Sequence, residues 1–194
     1  MFTILHIFIL LELFLLGFSI SLNKKPLGNN FCKGCDRCSS GYTGSGVLLY
    51  KTKQQKFVLG VDYKNELTDF GGKIDFVSEK IWNTASRELF EESNRVFNIS
   101  GTQILSCDYI DIDRNIHKYR SYILPIKNFD KKQFYYNKAN SLYTTFSFRE
   151  ITDIIEIKKE HLKKLLYNID DSPEIIPYDI SPRLKKILLL YFDN

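Results

Sequence analysis

The sequence predicts an α/β or α+β domain, a mixed β-sheet between helices, preceded by an N-terminal apolar helix. Three observations predict it. Short apolar or aromatic runs bounded by turn residues recur at Gly46–Lys51, Lys56–Asp62, Ile104–Ile112 and Ile116–Ile126, which is how strands read. Ser78–Ser93 has no Gly or Pro and places Ile81, Trp82, Ala85 and Leu89 at helical steps of three and four. Later stretches, Lys131–Leu142, Lys158–Ile169 and Ser181–Phe192, also read as helices.

The elements follow in chain order. Met1–Leu22 is apolar apart from interruptions such as His6 and Glu12, and about 20 helical residues match the hydrocarbon thickness of a bilayer. Lys24 and Lys25 come after this run. By the positive-inside rule that arrangement describes a membrane anchor with the following domain facing the cytosol. The rival reading is a signal peptide cleaved near Ser19 or Ser21, which would leave the domain secreted or lumenal. The organisation is therefore 1–22 as anchor or signal peptide, 23–45 as a Cys/Gly/Ser-rich linker, and 46–194 as the main domain.

Cys32, Cys35 and Cys38 form C-x-x-C-x-x-C, and Cys107 stands apart. Four thiolates make a candidate zinc site if Cys107 folds back to the other three. In an oxidising compartment two disulfides are equally natural, and thiols beside a membrane are also lipidation targets.

Gly46–Lys51 and Lys56–Asp62 read as a hairpin joined by a polar turn. Gly71-Gly72-Lys73 then turns the chain toward the helix, with Ser78 as the expected N-cap and Glu79 in its first turn. At about 100° per residue, Glu92 projects between Ile81 and Ala85, and Glu88 beside Ile81. Two carboxylates thus lie on or beside the face that should be dry, with Glu91 flanking them. Unpaired burial of such charges is costly, and a divalent cation relieves it. Oxygen ligands of this kind suit Mg²⁺ or Mn²⁺.

Beyond the helix, Ile104–Ile112 and Ile116–Ile126 are expected strands with a turn at Asp111–Asn115. Lys118 and Arg120 share a strand face there, where they either meet substrate phosphate or form a solvated surface. Lys158–Ile169 is basic and amphipathic, and His161 is expected on its surface. Ser181-Pro182 is a good N-cap and first helical position for a last helix. Asn98-Ile99-Ser100 is a glycosylation sequon, meaningful only outside the cytosol.

Residues Gly72 to Asn94 resemble the Nudix box, whose pattern is glycine, five residues, glutamate, seven residues, then Arg-Glu-aliphatic-x-Glu-Glu-x-Gly. Glu79, Arg87, Glu88, Leu89, Glu91 and Glu92 fit it. Three positions depart: six residues separate Gly72 from Glu79, Asn94 replaces the closing glycine, and Arg95 replaces the aliphatic residue after it. The resemblance implies the Nudix fold, a sandwich of helices about a mixed sheet. It also implies a Mg²⁺- or Mn²⁺-dependent pyrophosphohydrolase of a nucleotide-like diphosphate, reached by attack of an activated water. Glu88, Glu91, Glu92 and the Gly72 carbonyl would be metal ligands, and Glu88 also the general base. Arg87 would orient the glutamates, while Glu79 and Gly71 would shape the loop. Glu150 resembles an extra ligand or base supplied from a loop.

The chain of 194 residues is 44% hydrophobic and 14% aromatic, with a formal net charge of +4. That balance is globular and only mildly basic; it suits a polyanionic substrate without demanding nucleic acid, which the resemblance admits only as a capped RNA substrate. The alternative function is a non-catalytic Nudix-fold module that binds a ligand or scaffolds at a membrane. A third is a secreted, disulfide-bonded protein in which the box is coincidental.

Overall fold

The computed structural model describes residues 41–75, 78–114, 117–140, 150–169 and 176–193, with the side chains of Arg114 and His117 excepted. The expected anchor at 1–22, most of the linker, Cys32, Cys35 and Cys38 lie outside them. Among the described residues, no helix is long and apolar enough to cross a membrane.

The sheet is mixed. Strand β1 (Tyr42–Lys51) forms its centre and begins within the stretch expected as linker. It runs parallel to β6 (His117–Pro125) on one edge. Its other edge pairs antiparallel first with β4 (Phe70–Lys73) and then with β2 (Lys56–Asp62). The expected hairpin closes at Lys51 opposite Lys56. Strand β5 (Asp108–Arg114) adds to β6, β3 (Glu66–Thr68) to β2, and β8 (Asp179–Ile180) parallel to β3.

Successive strand residues face opposite sides, so β1 and β2 feed two cores. Val47, Leu49 and Val58 point to one core, while Leu48, Phe57 and Leu59 point to the other. The first is covered by α1 (Ile81–Glu92), α2 (Gly101–Leu105) and α3 (Lys131–Asn140) through Ala85, Leu89, Ile104 and Phe134. The second is covered by α4 (Lys159–Leu166) and α5 (Pro182–Phe192) through Leu162, Leu184, Ile187 and Leu188. The sheet is therefore sandwiched between helices, as expected. Leu89 is fully buried, and truncating such a residue to alanine costs about 2–5 kcal/mol.

Several elements differ from expectation. The first helix starts at Ile81, not Ser78, and Lys80 makes no side-chain cap. Residues 78–80 stay out of the helix so that Glu79 can reach back to the loop. Ile104 lies in α2 rather than a strand, because Ser100 and Gln103 form a reciprocal capping box. The expected turn at Asp111–Asn115 is largely strand, since β5 runs to Arg114. Strand β7 (Ile151–Lys158), antiparallel to β2, occupies a segment in which no strand was expected. His161 is buried, 7% exposed, and not a surface residue. Amphipathic α4 turns this side toward the sheet, together with Leu162 and Leu166.

Candidate active site

The site is built where β4 meets α1. Arg87 is its hub. Its Nε donates to Glu79 Oε1 at 3.0 Å, Nη1 to Glu88 Oε1 at 2.8 Å and to Glu91 Oε2 at 3.5 Å, and Nη2 to the Lys73 carbonyl at 3.0 Å. Asp75 completes the ring of carboxylates, 3.3 Å from Nη1. Glu79 in turn accepts the Asp75 backbone N–H at 3.0 Å. One guanidinium thus ties Lys73, Asp75 and Glu79 to the helix, and these charge-assisted bonds are the strong kind. Burial alone would raise the Glu79 carboxyl, but the Arg87 and Asp75 bonds hold it below its ordinary range. Glu79 thereby joins Asp75 to the helix through Arg87.

The two carboxylates expected on the dry face are there. Glu88 is 6% exposed and Glu92 3%. Burial pushes Glu88 up to about 7 despite the opposing charge of Arg87, with Glu91 and Asp75 adding to the rise. Burial likewise raises Glu92 well above the usual range, against the pull of Arg183. Glu92 Oε2 accepts the Gly71 N–H at 2.6 Å. Glu88 packs on Gly72, where a Cβ would lie 2.5 Å from its Oε1.

The two glycines present opposite backbone edges. The Gly72 carbonyl, the expected metal ligand, lies toward β1, 2.4 Å from where a Gly44 Cβ would stand. Gly71 sends its N–H away from β1, toward Glu92. In an extended strand the N–H and C=O of one residue share an edge, so the Gly71 carbonyl faces the Glu92 side.

Beyond this edge opens a pocket of about 330 Å³ whose walls include Gly71, Glu92, Glu150, Tyr63 and Arg183. Glu150, from the segment before β7, therefore shares the pocket with Glu92. Arg183 was not expected here, since its position depends on where the last helix docks. Its Nε donates to Asp69 Oδ1 at 2.7 Å, and Nη2 to Thr68 Oγ1 at 3.0 Å and the Asp69 carbonyl at 3.1 Å. Asp69 is fully buried and also accepts from Tyr119 at 2.8 Å and Ser121 at 3.1 Å.

Lys118 and Arg120 stand elsewhere, and neither lines the pocket. Lys118 is exposed on β6. Arg120 grips Asp111 with two bonds of 2.7 Å, donates to the Tyr42 hydroxyl at 2.8 Å, and lies 3.7 Å over the Tyr109 ring. Cys107 is half-buried and forms no disulfide among the described residues; burial raises its thiol pKa, with the Asp108 charge adding to the rise.

Asn94 takes the left-handed conformation expected at the helix stop, with φ +50°, and Arg95 follows at +66°. The Asn94 side chain is buried, and neither its oxygen nor its nitrogen finds a hydrogen-bond partner among the described residues.

Among the described residues, no three Asp, Glu, His or Cys side chains converge closely enough to hold an ion. The donor chemistry still fits a divalent cation. The groups are carboxylate and carbonyl oxygens, and Glu88 lies in a cradle that a side chain at Gly72 would fill. Arg87 supplies the positive charge that Glu88 and Glu91 share.

No protein-family model matches the chain, and no curated protein matches it. Solved structures do match. A NUDIX hydrolase from Nitrosomonas europaea is similar at 9% identity with a TM-score of 0.45, covering 78% of this chain and 89% of that one. A C. elegans Ap4A hydrolase, solved as a binary complex, is similar at 16% identity with a TM-score of 0.42, covering 77% of this chain and 96% of that one.

Proposed function

We propose that the protein is a Nudix-type pyrophosphohydrolase that cleaves a phosphoanhydride joining a nucleoside diphosphate to another moiety. The observation that carries this reading is the burial of Glu88 and Glu92 on one helix, against two glycines, with Arg87 holding the adjoining loop. A core helix has no structural need for two desolvated carboxylates, which destabilise it. Their retention fits a role in chemistry.

Glu91, Glu92 and Glu150, with the Gly71 carbonyl, would hold Mg²⁺ or Mn²⁺, and Glu88 would complete the set or act on the water. The ion would lower the pKa of a bound water and neutralise charge developing on phosphate. Glu88 would accept that water's proton. Arg87 fixes its carboxylate through Nη1, and Glu79 fixes Arg87. Gly72 leaves the space that the Glu88 carboxylate fills.

The non-catalytic reading retains one favourable observation: Arg87 already occupies Glu88 and Glu91. The deciding experiment assays the full-length chain with Mg²⁺ or Mn²⁺ against dinucleoside polyphosphates, sugar nucleotides, inositol pyrophosphates and capped RNA. Turnover that EDTA abolishes supports hydrolysis. Tight binding of these compounds with no turnover supports the binding module.

A further inference from the structure

We infer that Arg183, on the last helix, is the residue that receives the substrate's phosphate in the pocket beside Glu92. The inference rests on the hydrolase reading of the same pocket. Among the described residues lining the cavity, Arg183 is the single basic side chain, and the same lining includes Asp62, Glu92 and Glu150. A polyanionic diphosphate entering there needs positive charge on both flanks. A cation at the glutamates covers one flank, and Arg183 covers the other.

The guanidinium is built for this. Nε and Nη2 are committed to Asp69 and Thr68, while Nη1 donates to no oxygen among the described residues. Asp69 is anchored by Tyr119 and Ser121, and the Tyr119 ring lies 5.1 Å from the guanidinium carbon. Arg183 is therefore held in one orientation with one donor unspent, which is how a preorganised anion contact is made. Its burial is incomplete, with 24% of the side chain exposed, so a ligand can reach it. Tyr63, 59% exposed on the same pocket, offers a flat apolar surface for the organic moiety that the phosphate carries. Arg183 thereby selects ligands by their phosphate, and its place on α5 makes the docking of the last helix part of the site.

The test uses the full-length chain, Mg²⁺, and methylenediphosphonate, a diphosphate mimic that cannot be hydrolysed. Calorimetry compares wild type with Arg183→Lys, which keeps a positive charge facing Asp69 but lacks the planar fork. The expected result is binding weakened roughly tenfold or more, with a cooperative thermal transition retained. Unchanged affinity overturns the inference. Should Arg183→Lys fail to fold, wild-type crystals soaked in the same mixture decide. A phosphonate oxygen within hydrogen-bond distance of Nη1 supports the assignment, and a diphosphonate seated away from Arg183 overturns it. Binding is read without turnover, so the two readings separate. Arg183-dependent binding with no hydrolysis sinks the hydrolase reading alone. Hydrolysis with unaltered diphosphonate binding in Arg183→Lys sinks this one alone.

Discussion

Glu88 occupies the volume that a side chain on residue 72 would need: a Cβ on Gly72 would stand 2.5 Å from Oε1 and 2.6 Å from Cδ of that carboxylate. The glycine of the box is thus required by the glutamate of the helix. Gly72→Ala should displace the movable Glu88 carboxylate rather than the backbone. The expected stability loss is about 1–2 kcal/mol, with turnover falling roughly a hundredfold. Thermal denaturation beside steady-state kinetics checks both. A variant that keeps full activity would separate Glu88 from the chemistry.

Glu92→Gln should make the metal-free protein more stable while removing turnover. The amide oxygen can still accept the Gly71 N–H, and a carboxylate that is 3% exposed no longer has to be desolvated. The gain should be about 1 kcal/mol or more. Chemical denaturation in EDTA reads it. A less stable Glu92→Gln would mean that the carboxylate serves the fold.

The ion pair between Lys51 and Glu156 gives a pH signature. Lys51 is buried, 7% exposed. Burial alone would raise the Glu156 carboxyl, but hydrogen bonds and charge from Lys51 and Lys56 outweigh it and hold the group below its ordinary range. A depressed carboxyl contributes stability above its unfolded pKa, about 4.3, and loses it as pH falls through the folded value. Glu156→Gln should cost about 1–2 kcal/mol at pH 7. The gap from wild type should stay constant down to about pH 5 and close below pH 4. A gap independent of pH would remove the charge from the account.

Asn94→Gly should raise the melting temperature by about 2–4 °C. The residue sits at φ +50°, where glycine is strain-free, and its buried amide is unpartnered among the described residues. A lower melting temperature would show that the amide has a partner in solution.

Much of this arrangement was legible in the sequence, and the limits have physical reasons. The hairpin at Lys51 and Lys56 and the wet–dry geometry of Glu88 and Glu92 follow from local periodicity, which needs no knowledge of distant residues. The capping box at Ser100 and Gln103 is equally local, but the strand reading of Ile104–Ile112 takes only the apolar residues into account. Strand β7 was missed because Ile151–Lys158 is defined by its long-range pairing with β2. Arg183 and Asp69 are 114 positions apart in the chain. Nothing in either neighbourhood marks a buried ion pair, so only the docking of the last helix shows it. Arg120 was recognised as a strand cation, but Asp111, its cross-strand partner, decides that it serves a surface cluster instead of the pocket.

The most direct measurement is Mn²⁺ binding followed by electron paramagnetic resonance, with the full-length wild type beside Glu91→Gln and Glu92→Gln. Saturable binding in the wild type that weakens roughly tenfold or more in each variant is the predicted result. Equal binding in all three, or none in a folded wild type, would contradict the assignment of these carboxylates to a catalytic cation.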